Sequence, residues 1–328
     1  MTSDVATRTG LLSRIAETLF WTGRYIERAD DTARMVDAYV HRMLEGPQAD
    51  EDSVCRALLA VLGLLPPEAT RLDIGIALDR LAYDPKSPSA IAGAVLAARS
   101  GARTVREVIS GEMWECLNVA ALGLPRQRKA AERLGPHSYL QFVRERAALF
   151  FGLADSTMSH DDAWRFLVLG QSVERVDMTA RMLLSRMPAA PYELEWQMLL
   201  LACGAYESFA RSGSWPGGSR HVAEFLVMDR MFPRSVWHAL ATAEECLVAL
   251  DPPPAVGGRG ETAGPGDAGS LAQIRRMRSR LESADRATLP AQLPEVLSTL
   301  QQTCLEVSEA ITERYFTYAQ PSPWEKGP

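Results

Sequence analysis

Lysine, β-strand patterns and net positive charge are all scarce in this sequence. Only three lysines (Lys86, Lys129 and Lys326) occur among 328 residues, so arginine carries nearly all the positive charge and a catalytic lysine has few positions. The formal net charge is −6 and the pI is about 5.5, which leaves no overall positive field to neutralise phosphates. These absences predict that the protein binds neither nucleic acid nor membranes.

Familiar catalytic and metal-binding motifs are missing as well. The sequence has no P-loop, no His-Glu-x-x-His and no Gly-x-Ser-x-Gly. None of its five histidines has a glutamate three residues before it, which excludes the Glu-x-x-His ligand pairs of di-iron helical bundles. We therefore predict no metal site and no cofactor, and ATP use by this chain alone is disfavoured.

The cysteines and the N-terminus favour a cytoplasmic protein. The five cysteines are far apart in apolar, helix-like stretches, as expected of buried reduced thiols. Residues 1–10 lack the apolar stretch of a signal peptide, and the most apolar later segment, 196–210, is too short to cross a bilayer.

Helix-forming residues predict an all-α fold, a compact multi-helix bundle within one domain over 1–328. Ala, Leu, Arg, Glu and Met abound, whereas hairpin turn signals are absent. Periodicity and capping signals predict helices at 11–44, 53–64, 88–122, 159–187, 192–211, 219–231, 234–250, 270–285 and 291–318. Pro125 and Gly135-Pro136 are predicted to interrupt helices, and the Pro- and Gly-rich segment 251–270 is predicted to be a flexible loop ahead of C-terminal helices at 271–318.

An internal repeat is the most informative feature. GRYIERADDTARM at Gly23 to Met35 matches GQSVERVDMTARM at Gly170 to Met182 at eight of thirteen positions. Both copies lie well inside long predicted helices, so shared low complexity does not explain them. We predict two pseudo-repeated halves, at about 11–122 and 137–250, related by a pseudo-two-fold axis.

Helical spacing places a glycine, two acids and an arginine of each copy on one narrow strip, which borders the apolar face of the predicted helix. The strip of the first copy is Gly23, Glu27, Asp30 and Arg34, and that of the second copy is Gly170, Glu174, Asp177 and Arg181. One interpretation is structural, with cross-helix ion pairs and close glycine contacts that fix the pairing of the halves. The other is a polar pocket with Glu27 and Glu174 as acid/base groups and Arg34 and Arg181 gripping a carboxylate or phosphate. Repetition favours neither interpretation.

A second polar cluster lies in RSGARTVREVISGEMWECLN, at Arg99 to Asn118. Arg103, Arg106 and Glu107 precede Glu112 and Trp114 by one to two helical turns. An aromatic ring with flanking charges can line a binding pocket, and it can equally be a core anchor with neighbouring ion pairs. Both interpretations stay open.

Several motifs together resemble the bacterial alpha-E domain family. They are LLSRIAETLFWTGRYIERADDTARMVD at the start, DPKSPSAI at Asp84 to Ile91, RTVREVISGEMWECLN, GQSVERVDMTARML, FLVMDRMFPRSV at Phe225 to Val236 and Tyr315-Phe316. They occur in the family's order and cover nearly the whole chain. The family's usual Asn-Pro-x-Ser-Ile is replaced here by Pro-Lys-Ser-Pro-Ser-Ala-Ile, and its Asn-Ala-Arg by Gly-Ala-Arg at Gly101 to Arg103.

The resemblance implies an entirely helical protein that works with a partner. Family members typically occur beside, or fused to, a circularly permuted ATP-grasp protein, often with a transglutaminase-like cysteine peptidase nearby, which suggests a system that makes or trims amide bonds. The motif residues carried over by position are Arg24, Tyr25, Glu27, Arg28, Arg106, Glu107, Glu112, Trp114, Asn118, Glu174, Arg175, Asp229, Pro233, Arg234 and Ser235.

Three functional hypotheses follow. The first is an accessory subunit that docks an ATP-grasp ligase and completes its acceptor site, with carboxylate- or phosphate-binding candidates at Arg28, Arg106, Arg175 and Arg234. The second is an independent enzyme on amide or peptide substrates, with Glu27 and Glu174 as general acid/base groups. The third is a purely structural or interaction protein. The wider set of candidate substrate-binding residues is Arg24, Arg28, Arg34, Arg106, Glu112, Trp114, Arg175, Arg181 and Arg234.

Overall fold

The computed structural model describes residues 11–45, 50–186, 193–212, 218–251, 269–284 and 289–316, and these residues form helices without a β-strand. The helices are α1 (Ser13–Glu45), α2 (Glu51–Val61), α3 (Ile74–Leu78) with a π-helical continuation (Asp79–Tyr83), α4 (Ile91–Arg103), α5 (Gly111–Leu134), α6 (His137–Thr157), α7 (Asp162–Arg186), α8 (Glu193–Ala202), α9 (Tyr206–Arg211), α10 (Gly218–Met228), α11 (Val236–Leu250), α12 (Ser270–Ser283) and α13 (Leu289–Tyr315). The all-α prediction is confirmed. Among the described helices, none combines the length and the apolar character that a membrane span requires.

Helices α1 and α7, which carry the repeated segments, form the centre of the bundle. Equivalent positions on the two helices are buried apolar residues, Ile26 and Ala33 on α1 and Val173 and Ala180 on α7. Helices α4 and α6 flank α1, and helices α11 and α13 flank α7; α5 packs on α4 and α6 as α12 packs on α11 and α13. The two central helices are therefore shielded from solvent by two sets of outer helices.

In this packing α4, α5 and α6 surround α1 much as α11, α12 and α13 surround α7, which groups α6 with α1, whereas the predicted limits of 11–122 and 137–250 place it in the second half. The two pseudo-repeated halves stay a prediction. Two small apolar crevices also correspond, since one is lined by Ile26 and Ala29 and the other by Val173 and Val176.

The helix predicted from Ser87-Pro88 to Leu122 is wrong at its start and in its middle. Helix α4 begins at Ile91, with Ala90 as its N-cap, and ends at Arg103, and α5 begins at Gly111. The hydroxyl of Ser110 accepts a hydrogen bond from the backbone N–H of Met113 at 3.2 Å, which caps the N-terminus of α5. Pro125, predicted to interrupt a helix, lies inside α5.

The helix predicted over 192–211 is also divided. Helix α8 ends at Ala202 and α9 begins at Tyr206, because Gly204 between them adopts a φ of 61°, a left-handed conformation that ends a helix. Two further elements were not predicted, α3 with its π-helical turn and α6, which lies between the predicted helices at 88–122 and 159–187.

The predicted flexible loop at 251–270 lies almost entirely outside the described residues. Its end, 264–269, has Gly-x-Gly-x-x-Gly spacing ahead of α12. A dinucleotide fingerprint also requires a strand directly before the glycines, so the spacing alone does not identify such a site.

Candidate functional site

Two glycines bring the backbones of α1 and α7 into direct contact. A Cβ atom placed on Gly23 would lie 2.1 Å from the carbonyl oxygen of Leu167, and one placed on Gly170 would lie 2.0 Å from that of Phe20. No side chain fits at either distance, so glycine is required for this approach. The contact is reciprocal, and it sets the two repeated strips against each other.

Glu27 of α1 is held by residues of the second half of the chain. Its carboxylate accepts hydrogen bonds from Arg175 Nε at 2.6 Å and Nη2 at 3.0 Å, from Arg234 Nη1 at 2.9 Å and from Gln171 Nε2 at 3.0 Å. Only 1% of the residue is exposed. Three side chains therefore enclose the carboxylate of Glu27.

Glu174 of α7 is held in the same way by residues of α1. Its carboxylate accepts hydrogen bonds from Arg24 Nε at 2.7 Å and from Arg28 Nη2 at 3.0 Å, and 1% of the residue is exposed. Arg24 also donates to the hydroxyl of Ser308 on α13 at 3.0 Å. Helix α1 thus supplies both arginines that neutralise Glu174, and helix α7 supplies one of the two that neutralise Glu27.

The two copies reach the same charge balance through different residues. Arg28 and Arg175 are equivalent, and each donates to a proline carbonyl just before an outer helix, Pro88 before α4 and Pro233 before α11. The second arginine of each pair is not equivalent. Gln171 occupies the position of Arg24, and the site around Glu27 takes its second guanidinium from Arg234 instead. Each glutamate therefore contacts two arginines.

Arg234 joins three acids of α1. Besides Glu27, its guanidinium donates to Asp31 Oδ1 at 2.8 Å and to Asp30 Oδ2. Oδ1 of Asp30 and Oδ2 of Asp31 are buried and have no hydrogen-bond partner among the described residues. Burial and the neighbouring charges of Glu27 and Asp30 outweigh the attraction of Arg234 and raise the pKa of Asp31 well above its ordinary value.

The glutamates themselves are held as anions. Burial alone would raise the pKa of Glu27, but the charges of Arg175 and Arg234 and the hydrogen bonds from Arg175 and Gln171 outweigh burial and lower this pKa to about 2. The pKa of Glu174 is likewise lowered, because Arg24 and Arg28 outweigh its burial. A general acid/base group needs a pKa near the working pH and access to substrate. A glutamate that is 1% exposed and has a lowered pKa does not meet these conditions.

Arg34 and Arg181 pair within their own helices. Arg34 Nε donates to Asp30 Oδ2 at 2.9 Å, and Arg181 Nε donates to Asp177 Oδ1 at 2.9 Å, as the i,i+4 spacing predicts. Three apolar crevices among the described residues have neither Glu27 nor Glu174 in their linings. The geometry favours the structural interpretation of the strips, and a catalytic role for the two glutamates stays a prediction.

The second predicted cluster is separate from the strips and reaches the surface. Trp114, near the start of α5, is half-buried, and its ring lies 5.1 Å from the guanidinium carbon of Arg106 and 5.7 Å from that of Arg99. Arg106 and Glu112 are exposed. Arg99 also donates to Asn118 Oδ1 at 2.7 Å. An exposed guanidinium beside a half-buried indole ring can bind an anionic or planar group.

Two participants in the central ion pairs were not predicted as site residues. Gln171 completes the enclosure of Glu27, and Asp31 is the third acid on Arg234. Both lie inside the aligned repeats at positions where the copies differ, Arg24 against Gln171 and Asp31 against Met178. Differences between the copies were therefore the signal that could have identified them.

The fold and the site together define an all-helical protein centred on two reciprocal Glu–Arg clusters. A family model described as "A predicted alpha-helical domain with a conserved ER motif" matches residues 11–316. The chain belongs to this Alpha-E family. Glu27-Arg28 and Glu174-Arg175 are Glu-Arg pairs at the centre of the α1–α7 interface.

Uncharacterized proteins of mycobacteria are similar to the chain. One from Mycobacterium bovis and one from Mycobacterium tuberculosis (strain CDC 1551 / Oshkosh) are each 24% identical over 326 residues, a match that covers 91% of this chain and 36% of the relative. The chain therefore spans about a third of the length of these relatives. No solved structure matches the chain.

Proposed function

We propose that this chain is an accessory helical subunit that docks on an ATP-grasp ligase and completes the acceptor site of an amide-forming system in the bacterial cytoplasm. The observation that most supports this proposal is the enclosure of Glu27 and Glu174, each 1% exposed and bound by two arginines. Acids in this state stabilise a scaffold and transfer no proton to a substrate. The bond-forming chemistry is then assigned to a partner.

The length of the relatives agrees with a module that works beside other modules. In the mycobacterial proteins the matching region is 36% of a longer chain, so the helical domain shares that chain with further polypeptide. The resemblance to members found beside or fused to circularly permuted ATP-grasp proteins makes such a protein the proposed partner. A transglutaminase-like peptidase is a second proposed partner on the same grounds.

The accessible part of the candidate site lies at Trp114. Arg106 and Glu112 are exposed and Trp114 is half-buried, whereas the arginines of the strips are occupied by buried carboxylates. A partner or its carboxylate substrate can reach Arg106 without breaking a buried ion pair. We assign the contact with the ligase to this surface.

The test is co-purification with the ATP-grasp protein encoded nearest to this chain, followed by ATP hydrolysis in the presence of pooled amino acids. The expected results are a stable complex, no ATPase activity from this chain alone and a turnover that requires both proteins. Arg106→Ala and Trp114→Ala are expected to weaken the complex by roughly tenfold or more, as loss of an interface anchor does. Arg126→Ala, at an exposed arginine further along α5, the helix that carries Trp114, is the matched control and should bind normally.

Absence of binding, together with turnover by the ligase that is unchanged when this chain is added, would overturn the proposal. Equal weakening by Arg106→Ala and Arg126→Ala would instead reject the assigned surface alone. If Glu27→Gln abolished an amide-cleaving or amide-forming activity of the isolated chain while its melting temperature stayed constant, the independent-enzyme alternative would be supported.

A further inference from the structure

Three metal-ligating side chains meet where α1 passes the start of α6. Asp37 and His41 are one helical turn apart on α1, and His137 is the first residue of α6. One ring nitrogen of each histidine and one carboxylate oxygen of Asp37 all lie within 4.8 Å of one another. We propose that Asp37, His41 and His137 bind a divalent transition-metal ion, with Zn²⁺ as the best match to this donor set. This inference does not depend on the proposed function.

The hydrogen bonds of the cluster show that the donors already converge. His137 Nδ1 donates to Asp37 Oδ1 at 2.7 Å, and His41 Nδ1 lies 2.9 Å from the backbone carbonyl oxygen of Asp37 and 3.5 Å from Oδ1. A carbonyl oxygen only accepts, so Nδ1 of His41 carries a proton. A metal ion that binds Nδ1 of His41 and of His137 takes the place of the proton on each Nδ1 atom. If the imidazole is neutral, its proton moves to Nε2; if the imidazole is protonated on both nitrogens, it releases the Nδ1 proton to solvent.

The exposure of the two histidine side chains allows an ion to exchange with solvent. The side chains of His41 and His137 are 52% and 53% exposed, whereas that of Asp37 is 9% exposed. The two rings meet edge to face with centroids 5.0 Å apart. The ion can therefore enter from solvent and bind to a fixed carboxylate, and three protein ligands leave a coordination position for water.

The chemistry of the donors selects the class of metal. Imidazole nitrogens favour Zn²⁺, Cu²⁺ and Ni²⁺, whereas Ca²⁺ and Mg²⁺ require a shell of oxygen ligands. Two imidazoles and one carboxylate are a frequent set for zinc. The five cysteines are buried, so their thiols do not offer a competing site at the surface.

Arg144 is the charged group that opposes the ion. Its Nη1 donates to Asp37 Oδ2 at 2.9 Å, so a guanidinium lies next to the carboxylate that the metal needs. This positive charge lowers the affinity for a divalent cation and leaves Oδ1 for the histidines and the metal. Removal of this charge should therefore strengthen metal binding, an effect that a purely structural hydrogen-bond network does not predict.

The sequence predicted no metal site, because none of the five histidines stands in a Glu-x-x-His or His-Glu-x-x-His pattern. Asp37 and His41 have the Asp-x-x-x-His spacing that places both on one helix face, which is the local half of the signal. His137 is 100 positions from Asp37, and only the packing of α6 on α1 brings it close.

The test is equilibrium dialysis or calorimetric titration of the full chain with Zn²⁺, with Ca²⁺ as the comparison ion. We expect one Zn²⁺ per chain, no Ca²⁺, and an affinity lowered at least ~10-fold by His41→Gln or His137→Gln, since each removes one of three ligands. His160→Gln is the matched control, because His160 is 50% exposed beside Asp155 and should leave the affinity unchanged. Circular dichroism without metal verifies that every variant folds.

One further readout separates a real site from loose surface binding. Arg144→Gln should tighten Zn²⁺ binding by ~3-fold or more, because it removes the positive charge beside the carboxylate of Asp37. No Zn²⁺ binding at concentrations up to about 1 mM would overturn the proposal. Equal losses in His137→Gln and His160→Gln would overturn it as well.

Discussion

Replacement of Glu27 by glutamine tests whether the central clusters are structural. The substitution keeps the shape of the side chain and removes its charge, so Arg175 and Arg234 lose the anion that they share. Breaking a buried ion pair from one side costs about 3–5 kcal/mol, because an uncompensated charge stays buried. We expect Glu27→Gln to lower the free energy of unfolding by this amount.

The pKa of Glu27 gives an independent magnitude. A decrease from 4.5 to about 2 corresponds to about 3 kcal/mol at 1.36 kcal/mol per pKa unit. Because the pKa is lowered in the folded state, this contribution is complete above about pH 4.5 and disappears as the pH falls toward 2. The stability advantage of the wild-type chain over Glu27→Gln should therefore be constant near neutral pH and shrink in acid.

The assay is urea unfolding followed by circular dichroism at several pH values. Asp79→Asn is the control, since Asp79 forms an exposed ion pair with Arg128 and its loss should cost at most about 1 kcal/mol. In a double-mutant cycle, Glu27→Gln and Arg175→Gln together should cost less than the sum of the single changes, because the second removes a charge that the first leaves unpaired. An unchanged stability of Glu27→Gln, or strictly additive costs, would refute the reasoning.

Further predictions follow from the same contacts. Gly23→Ala should lower the free energy of unfolding by about 3 kcal/mol or more, because its Cβ would lie 2.1 Å from the carbonyl oxygen of Leu167, and thermal unfolding measures the loss. Asp31→Asn should leave the free energy of unfolding at neutral pH unchanged or raise it. Because the pKa of Asp31 is raised in the folded chain, ionisation of this side chain opposes folding, and the stability of the wild-type chain decreases as the pH rises. Chemical denaturation at pH 7 checks this sign. Thiol reagents should label the native chain slowly and the unfolded chain rapidly, because burial raises the pKa of the thiols, for Cys203 to about 12. A fast native reaction would contradict the described core.

Sequence patterns predicted what is local and missed what is distant. The repeat, the strips and the i,i+4 pairs Asp30–Arg34 and Asp177–Arg181 follow from helical spacing alone, and the structure confirms both pairs. Cross-helix ion pairs were one of the two interpretations of the strips, but their partners could not be predicted, because Arg175 is 148 positions from Glu27 and nothing in either helix specifies the partner. Helix breaks were missed for a related reason, since Gly204 looks like any tolerated glycine until its φ is known.

The reciprocal exchange makes each half of the chain depend on the other. Residues 11–157 contain Glu27, but Arg175, Arg234 and Gln171, which enclose it, all lie beyond residue 157. A folded monomer of 11–157 would leave the carboxylate of Glu27 without these partners and would expose the surface of α1 that packs on α7. We therefore predict that this fragment is not a stable monomer, which size-exclusion chromatography and circular dichroism can measure.

The equivalence of the strips also predicts how the fragment can recover. In a pair of 11–157 fragments, Glu27 of each copy occupies the position of Glu174 and faces Arg24 and Arg28 of the other copy, the set that holds Glu174 in the full chain. The fragment should therefore form a homodimer, and Arg28→Gln should weaken this dimer, whereas Arg133→Gln, an exposed control on α5, should not. A helical, cooperatively unfolding monomer would show that the exchanged ion pairs are not what joins the halves.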